Sequence, residues 1–291
     1  MDPSNSGATT GKRALLHASL RSLESVAVAY SGGVDSTLLL HAAVQALGPE
    51  KVIAVHAVSC LNGSRQRYQA LSLFRAVFAD KVELRQIAVE PLAWEEFVAN
   101  TDRRCYFCKK RLYRRFITEF STCCRRQLVD GTNADDMLQH RPGIQAIREL
   151  QVRTPLLDAG LNKAEIRSLA QQAGLPNHAQ LANSCLATRI ETGRRIEADL
   201  LQRIDQAEDF LQRSGFPGSR FRLVQKGIHL ELRYSDVERF RHGDIRRAFQ
   251  DLLLARSPVG DNWKAALPQP HNPGKAALIR FREKENGPVA L

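Results

Sequence analysis

One junction constrains this chain more than any other feature. The apolar run Ser25-Val-Ala-Val-Ala-Tyr30 passes directly into Ser31-Gly-Gly-Val-Asp-Ser36, and that into Thr37-Leu-Leu-Leu-His-Ala-Ala-Val-Gln-Ala-Leu47, which Gly48 closes. The first run reads as a buried strand, and the last as a helix with a glycine stop. A strand that feeds a helix through a glycine turn is the unit from which α/β folds are built. The turn has its own chemistry. Gly32 and Gly33 let backbone N–H groups converge on an anion, and the following helix adds its N-terminal dipole. Ser31, Ser36 and Thr37 add hydroxyl donors. Asp35 does not favour a bare phosphate and reads as a Mg²⁺ ligand. The Gly-x-x-x-x-Gly-Lys-[Ser/Thr] pattern of a Walker loop is absent.

The rest of the chain repeats the alternation. Strand-like runs at Val52–Ser59, Val82–Val89 and Gln127–Asp130 are interleaved with helical runs at Gln66–Phe78 and Tyr106–Phe120. This predicts right-handed crossovers and a parallel sheet with helices on both faces. A short helix is expected over Arg13–Leu23. Asn162 and Glu165 have capping-box spacing at the start of another helix, which ends near Gly174 with Pro176 beyond it. From Glu191 the pattern changes to helix, strand, strand, helix (Glu197–Ser214, Arg220–Gln225, Ile228–Arg233, Ser235–Leu254), a smaller α+β domain. The expected division is a flexible 1–12, a nucleotide domain over 13–190, a substrate or oligomerisation domain over 191–255 and a loosely ordered tail over 256–291.

Composition narrows the class of function. Lys and Arg number 42 against 31 Asp and Glu, a net +11, so polyphosphates, nucleotides or RNA are the expected partners. No apolar run approaches membrane length and the N-terminus lacks a signal-peptide core, so no membrane partner and a cytoplasmic location are expected. Six cysteines are too few for a disulfide scaffold. Cys105 and Cys108 form a Cys-x-x-Cys that fits a redox pair, half of a zinc site, or plain thiols. Cys185 reads either as a reactive thiol or as a small buried hydrophobe. Asp135 and Asp136 read as metal or nucleotide contacts, or as loop acids and a helix cap. Arg220 and Arg222 share one strand face, as an anion anchor or a solvated pair.

Ser31–Ser36 resembles the pyrophosphate loop of the PP-loop ATPases, the adenine-nucleotide alpha-hydrolase-like superfamily. The resemblance implies that ATP is cleaved between its α and β phosphates, adenylating a substrate oxygen. Arg104-Cys-Tyr-Phe-Cys-Lys109, Asp130-Gly-Thr-Asn-Ala-Asp-Asp136, Arg141-Pro-Gly143, Thr154-Pro-Leu156, Lys163-Ala-Glu-Ile-Arg167 and Ser184-Cys-Leu-Ala-Thr-Arg189 follow in order. With them, the stretch from about Ser25 to Glu231 resembles the LarE family of ATP-dependent sulfur transferases. That family adenylates a carboxylate of a pyridinium dicarboxylate mononucleotide and converts it to a thiocarboxylate, in building a nickel-pincer nucleotide. Adenylation gives a poor electrophile a good leaving group, which a soft sulfur nucleophile then displaces.

The resemblance implies roles residue by residue. Ser31, Gly32, Gly33, Asp35, Ser36 and Asp135 would bind ATP and its pyrophosphate, with Ser59 near the adenine and Asp35 on Mg²⁺. Cys185 would be a sacrificial sulfur donor or, with Cys105 and Cys108, a ligand of a [4Fe-4S] cluster. Arg189 would stabilise a thiolate or hold the acyl-adenylate. Arg220 and Arg222 would anchor the substrate phosphate. A small-molecule nucleotide substrate and a homo-oligomer are implied. A tRNA sulfurtransferase, an amide ligase of the NAD synthetase kind and a catalytically dead nucleotide-binding protein are the alternatives. The chain departs from the family pattern at Gln139-His140, at Gln180-Leu181, and after Arg222, where Leu223 and His229 stand at the positions of a His and an Arg.

Overall fold

The computed structural model describes residues 3–121, 126–138, 141–224, 227–242, 244–254, 263–265 and 277–283. The chain divides into two units. One comprises Met1–Ser59, Gln66–Phe97 and Asp102–Ala182, and the other Cys60–Arg65, Val98–Thr101 and Asn183–Leu291.

The chain begins with α1 (Pro3–Arg21), β1 (Val26–Ala29), α2 (Val34–Leu47), β2 (Val52–Val58), α3 (Ser64–Phe78) and β3 (Glu83–Ala88). It continues with the single turn α4 (Glu95–Val98), α5 (Arg104–Ser121), β4 (Gln127–Val129), α6 (Pro142–Glu149), the single turn α7 (Pro155–Asp158) and α8 (Lys163–Gln172). The four strands form a parallel sheet in the order β3-β2-β1-β4. β1 and β2 lie in the centre and are almost wholly apolar, as a strand covered on both faces requires. β3, at an edge, carries Glu83, Arg85 and Gln86. Alternation assigns the faces. Val26 and Val28 pack with Leu16 and Leu20 of α1, Leu39 of α2, Phe74 of α3 and Ile166 of α8. Ala27, Ile53 and Val55 pack with Tyr113, Phe116 and Phe120 of α5 and Ile147 of α6. This is the expected parallel α/β sheet with helices on both faces.

Helix α1 starts at Pro3 rather than at Arg13, so it takes in most of the stretch expected to be mobile. Lys12 ties it down, with its ammonium 2.7 Å from Glu165 Oε1 and 2.8 Å from the Gly160 carbonyl.

The second unit is built on an antiparallel sheet. After α9 (Ala198–Arg213) come β5 (Arg220–Val224), β6 (Gly227–Leu232), α10 (Val237–His242), α11 (Asp244–Leu254), β7 (Trp263–Ala265) and β8 (Ala277–Glu283), with strand order β5-β6-β8-β7. Phe210, Phe216, Phe221, Phe240 and Phe249 stack edge to face or offset between sheet and helices. Two expectations change here. The single helix over Ser235–Leu254 is two helices. The tail from residue 256, expected to be loosely ordered, contributes two strands. β8 pairs with β6 from Ala277↔Leu232 to Phe281↔Ile228, supplying hydrogen-bond partners along an edge that β6 would otherwise expose.

Candidate active site

In the parallel sheet the chain runs from β1 outward to β2 and β3, then returns to the other side of β1 with β4. The carboxyl ends of β1 and β4 therefore flank the point where strand order reverses, the usual ligand crevice of such sheets. The loops after both strands meet there. Gly131, after β4, is so close to the loop after β1 that a Cβ on it would lie 3.2 Å from Ser36 N and 3.3 Å from Asp35 C.

The loop after β1 is held open by its own side chains. Ser36 Oγ accepts from the Ser31 amide at 3.2 Å and donates to the Gly33 carbonyl at 3.1 Å, and Thr37 Oγ1 donates to that same carbonyl at 2.9 Å. Gly33 is the N-cap of α2 and brings no side chain to its first-turn N–H groups. Gly32 has φ +79°, and a Cβ there would sit 2.4 Å from Ala70 Cβ. Only glycine fits, because α3 packs directly against the turn. The result is a concave row of backbone amides at a helix N-terminus, a ready anion site.

Several residues of this cradle had no role assigned from the sequence, although Lys163 and Arg167 begin and end one of the motifs quoted above. Asn177, buried, donates to the Gly32 carbonyl at 3.2 Å and to Thr37 Oγ1 at 3.0 Å. The guanidinium of Arg167 holds the segment carrying it, at 2.7 Å from the His178 carbonyl and 2.5 Å from that of Gln180. Lys163 places its ammonium on Asp35 Oδ2. Asp35 Oδ1 is buried with no hydrogen-bond partner. Burial pushes the Asp35 carboxyl above the usual range, against the pull of Lys163. An unanswered buried carboxylate oxygen is costly unless a cation meets it. Asp35 therefore fits a Mg²⁺ ligand.

Asp135 Oδ2 accepts from the Lys163 amide at 2.9 Å, at the first turn of α8. Asp136 pairs with Arg141 at 2.6 Å and accepts from the Asn133 amide at 3.1 Å. These are the loop and cap roles open to both acids from the sequence. Ser59 follows β2, half-buried, at the same carboxyl edge. Asp130 follows β4 and is buried. It accepts from Tyr113, from the Thr132 hydroxyl, from the Thr132 amide at 2.8 Å and from Lys109 at 3.2 Å. Burial alone would raise its carboxyl, but Lys109, Thr132 and Tyr113 outweigh burial and hold it below the usual range.

Lys109 and Tyr113 belong to α5, whose first turn carries Cys105 and Cys108. Both cysteines are half-buried and outside any disulfide. Gly143 lets α6 approach this turn, since a Cβ there would be 3.3 Å from Lys109 Cδ and 3.6 Å from the Cys105 carbonyl. Two thiols one turn apart fit two corners of a metal or cluster site. Within their unit, no third Cys, His, Asp or Glu joins them among the described residues. Trp94 lies half-buried under the Arg111 guanidinium, 5.6 Å from its ring.

Cys185 belongs to the second unit. It is half-buried and is the N-cap of a short 3₁₀ turn, Leu186–Arg189. Leu186 N donates to the Leu61 carbonyl at 2.8 Å. Arg189, expected to face a thiolate or an adenylate, is 2% exposed. Its guanidinium donates to Glu208 Oε1 at 2.6 Å and Oε2 at 3.1 Å, to Ser184 Oγ at 2.7 Å and to Thr188 Oγ1 at 2.8 Å. Through these bonds Arg189 ties α9 to the cysteine loop. A signal for its partner was available: Glu208 lies on the apolar stripe of Leu201, Ile204 and Leu211. Arg220 and Arg222 do share the half-exposed face of β5. Both pair with Glu231 across the strand, Arg220 at 3.8 Å, and Arg222 also donates to the Thr188 carbonyl at 2.7 Å, so the strand is tied to the cysteine loop.

A glycine-lined anion cradle at the switch point of a parallel sheet defines a PP-loop-like α/β protein. No family model matches the chain. An uncharacterized protein of Synechocystis is 33% identical over 235 residues, 79% of this chain and 85% of its own length. The pyridinium-3,5-bisthiocarboxylic acid mononucleotide synthase of Lactiplantibacillus plantarum is 32% identical over 221 residues, 76% of this chain and 79% of the synthase. An uncharacterized protein of Methanocaldococcus jannaschii is 28% identical over 188 residues, 64% of this chain and 69% of its own. The chain belongs to the LarE-type family of that synthase.

Proposed function

We propose that this chain is an ATP-dependent sulfur transferase acting on a carboxylate of a pyridinium dicarboxylate mononucleotide. One observation carries the reading: the amide cradle of Ser31–Ser36 with a buried, unanswered Asp35 oxygen beside it. The relationship to a synthase of a bisthiocarboxylated mononucleotide supplies the substrate class.

In the first half-reaction the cradle and the N-terminus of α2 hold the β and γ phosphates. A substrate carboxylate oxygen attacks the α phosphorus and the bond to pyrophosphate breaks, leaving an acyl-adenylate. Magnesium on Asp35 would neutralise the departing phosphates when bound. Ser59 borders the adenine, and Arg220 and Arg222 take the substrate phosphate. In the second half-reaction a sulfur nucleophile attacks the acyl carbon and AMP leaves. If the sulfur is that of Cys185, loss of its α proton with cleavage of its C–S bond yields the thiocarboxylate and a dehydroalanine. On the alternative route, Cys105, Cys108 and Cys185 would hold a [4Fe-4S] cluster that would supply the sulfide, and Cys185 would survive. Arg189 keeps the Cys185 loop in place throughout.

The test is mass spectrometry after a single turnover of anaerobically purified protein with ATP and the dicarboxylate mononucleotide. The substrate should exchange one oxygen for sulfur. The Cys185 peptide should lose the elements of H₂S on the sacrificial route, or stay intact with Cys105→Ala inactive on the cluster route. A substrate that gains no sulfur under either condition overturns the assignment.

A further inference from the structure

Lys163 is placed in a way that the shape of the cradle does not require. Its ammonium occupies one oxygen of Asp35, while the other oxygen is buried and unpartnered. The carboxylate is thus only half answered in direct contacts. Three features fix its surroundings. The Lys163 backbone amide is bound by Asp135 at 2.9 Å. Lys163 is the first residue of α8, whose Asn162–Glu165 capping box is complete. On the other side, a Cβ at Gly131 would be 3.3 Å from Asp35 Cβ, so the loop after β4 pins the carboxylate's base. Only the methylene stem of Lys163 is free to rotate, and its side chain is 32% exposed. The ammonium can move while every backbone around it stays still.

We propose that Lys163 is a placeholder that becomes a phosphate ligand. In nucleotide-free protein its ammonium holds Asp35 in position. When a nucleotide–magnesium complex enters, Asp35 passes from the lysine to the divalent ion, and Lys163 turns its ammonium onto a phosphate oxygen. The inference rests on the reading of Ser31–Ser36 as the ATP phosphate site and deepens it. A doubly charged ion displaces an ammonium from a carboxylate at lower cost when the displaced ammonium finds another anion, and the phosphates supply one. The device makes the metal arrive with the nucleotide and keeps the empty site from collecting free divalent ions.

The experiment uses Mn²⁺ as the probe, followed by electron paramagnetic resonance, with α,β-methylene-ATP as the uncleaved nucleotide. Lys163→Met and Lys163→Gln should bind Mn²⁺ without nucleotide about tenfold more tightly than the unmodified chain, and Mn²⁺–α,β-methylene-ATP about tenfold more weakly, the loss expected for one charge-assisted contact. Lys163→Arg, which keeps the charge, should retain the low Mn²⁺ affinity of the empty site. Unchanged Mn²⁺ affinity in both neutral variants, or unchanged nucleotide affinity, overturns the placeholder role alone. An unmodified chain that binds no α,β-methylene-ATP overturns the ATP reading as well.

Discussion

A buried guanidinium persists only where its charge and its N–H groups are answered, and at Arg189 both are. Arg189→Ala leaves the buried Glu208 without its countercharge and should cost about 3–5 kcal/mol in urea unfolding; a loss under 1 kcal/mol would mean that the pair does little to hold the loop. Asp130 makes the complementary point with pH. Its folded carboxyl lies below the ordinary 3.8, so the fold favours the ionised form. The stability this contributes is complete above the unfolded value and is lost as pH falls through the lower folded value. Asp130→Asn should flatten the acid limb of the stability–pH curve, and a limb unchanged in shape would assign it to other groups. Ser31–Ser36 was legible because its chemistry is local, a glycine turn between a strand and a helix. Asn177 was not, because nothing in Leu175-Pro-Asn177 tells which carbonyl the side chain will meet after the chain has closed on itself. The carboxylate that meets Arg189 is set in a related way: close to a cysteine in sequence, Arg189 reads as a thiolate partner, and its pairing with Glu208 depends on where α9 packs.

At the scale of elements, α8 links the parts of the cradle. Its first turn presents Lys163 to Asp35, Arg167 holds the segment bearing Asn177, and Glu165 receives Lys12 from α1. The capping box that fixes its start was readable from Asn162 and Glu165 and is formed in full. Asn162→Ala should therefore cost about 1 kcal/mol by thermal or urea unfolding. It should also weaken nucleotide binding, since the amide that meets Asp135 lies in the same turn. A stability loss with nucleotide affinity intact would uncouple the cap from the site. Elements that are long apolar runs bounded by turn residues, such as α2 and β2, lie close to where the sequence places them. β8 was missed because Pro, Gly and Asn dominate the surrounding tail, although Ala277-Leu-Ile-Arg-Phe-Arg-Glu283 alternates apolar and charged residues in its centre. The division between α10 and α11 did have a local signal, Gly243 followed by Asp244, a helix-stop residue beside a helix-start residue, which the reading of one helix passed over.

For the whole molecule, alternation of strand and helix predicted a parallel sheet but could not order it. The order β3-β2-β1-β4, which places Gly131 against Asp35 and makes a crevice of two separate loops, is set by long-range pairing that no local pattern encodes. Among the described residues, no helix is long and apolar enough to cross a membrane. The excess of basic residues suits an anionic substrate, and the cradle of amides gives that charge a focus. The central claim is that Ser31–Ser36 grips the two phosphates that leave together. The most direct test follows the nucleotide products of the full-length protein with Mg²⁺, ATP and pyridinium-3,5-biscarboxylic acid mononucleotide by phosphorus NMR. AMP and pyrophosphate should appear in equal amounts and only when the carboxylated substrate is present. ADP and inorganic phosphate as the main products would contradict the account.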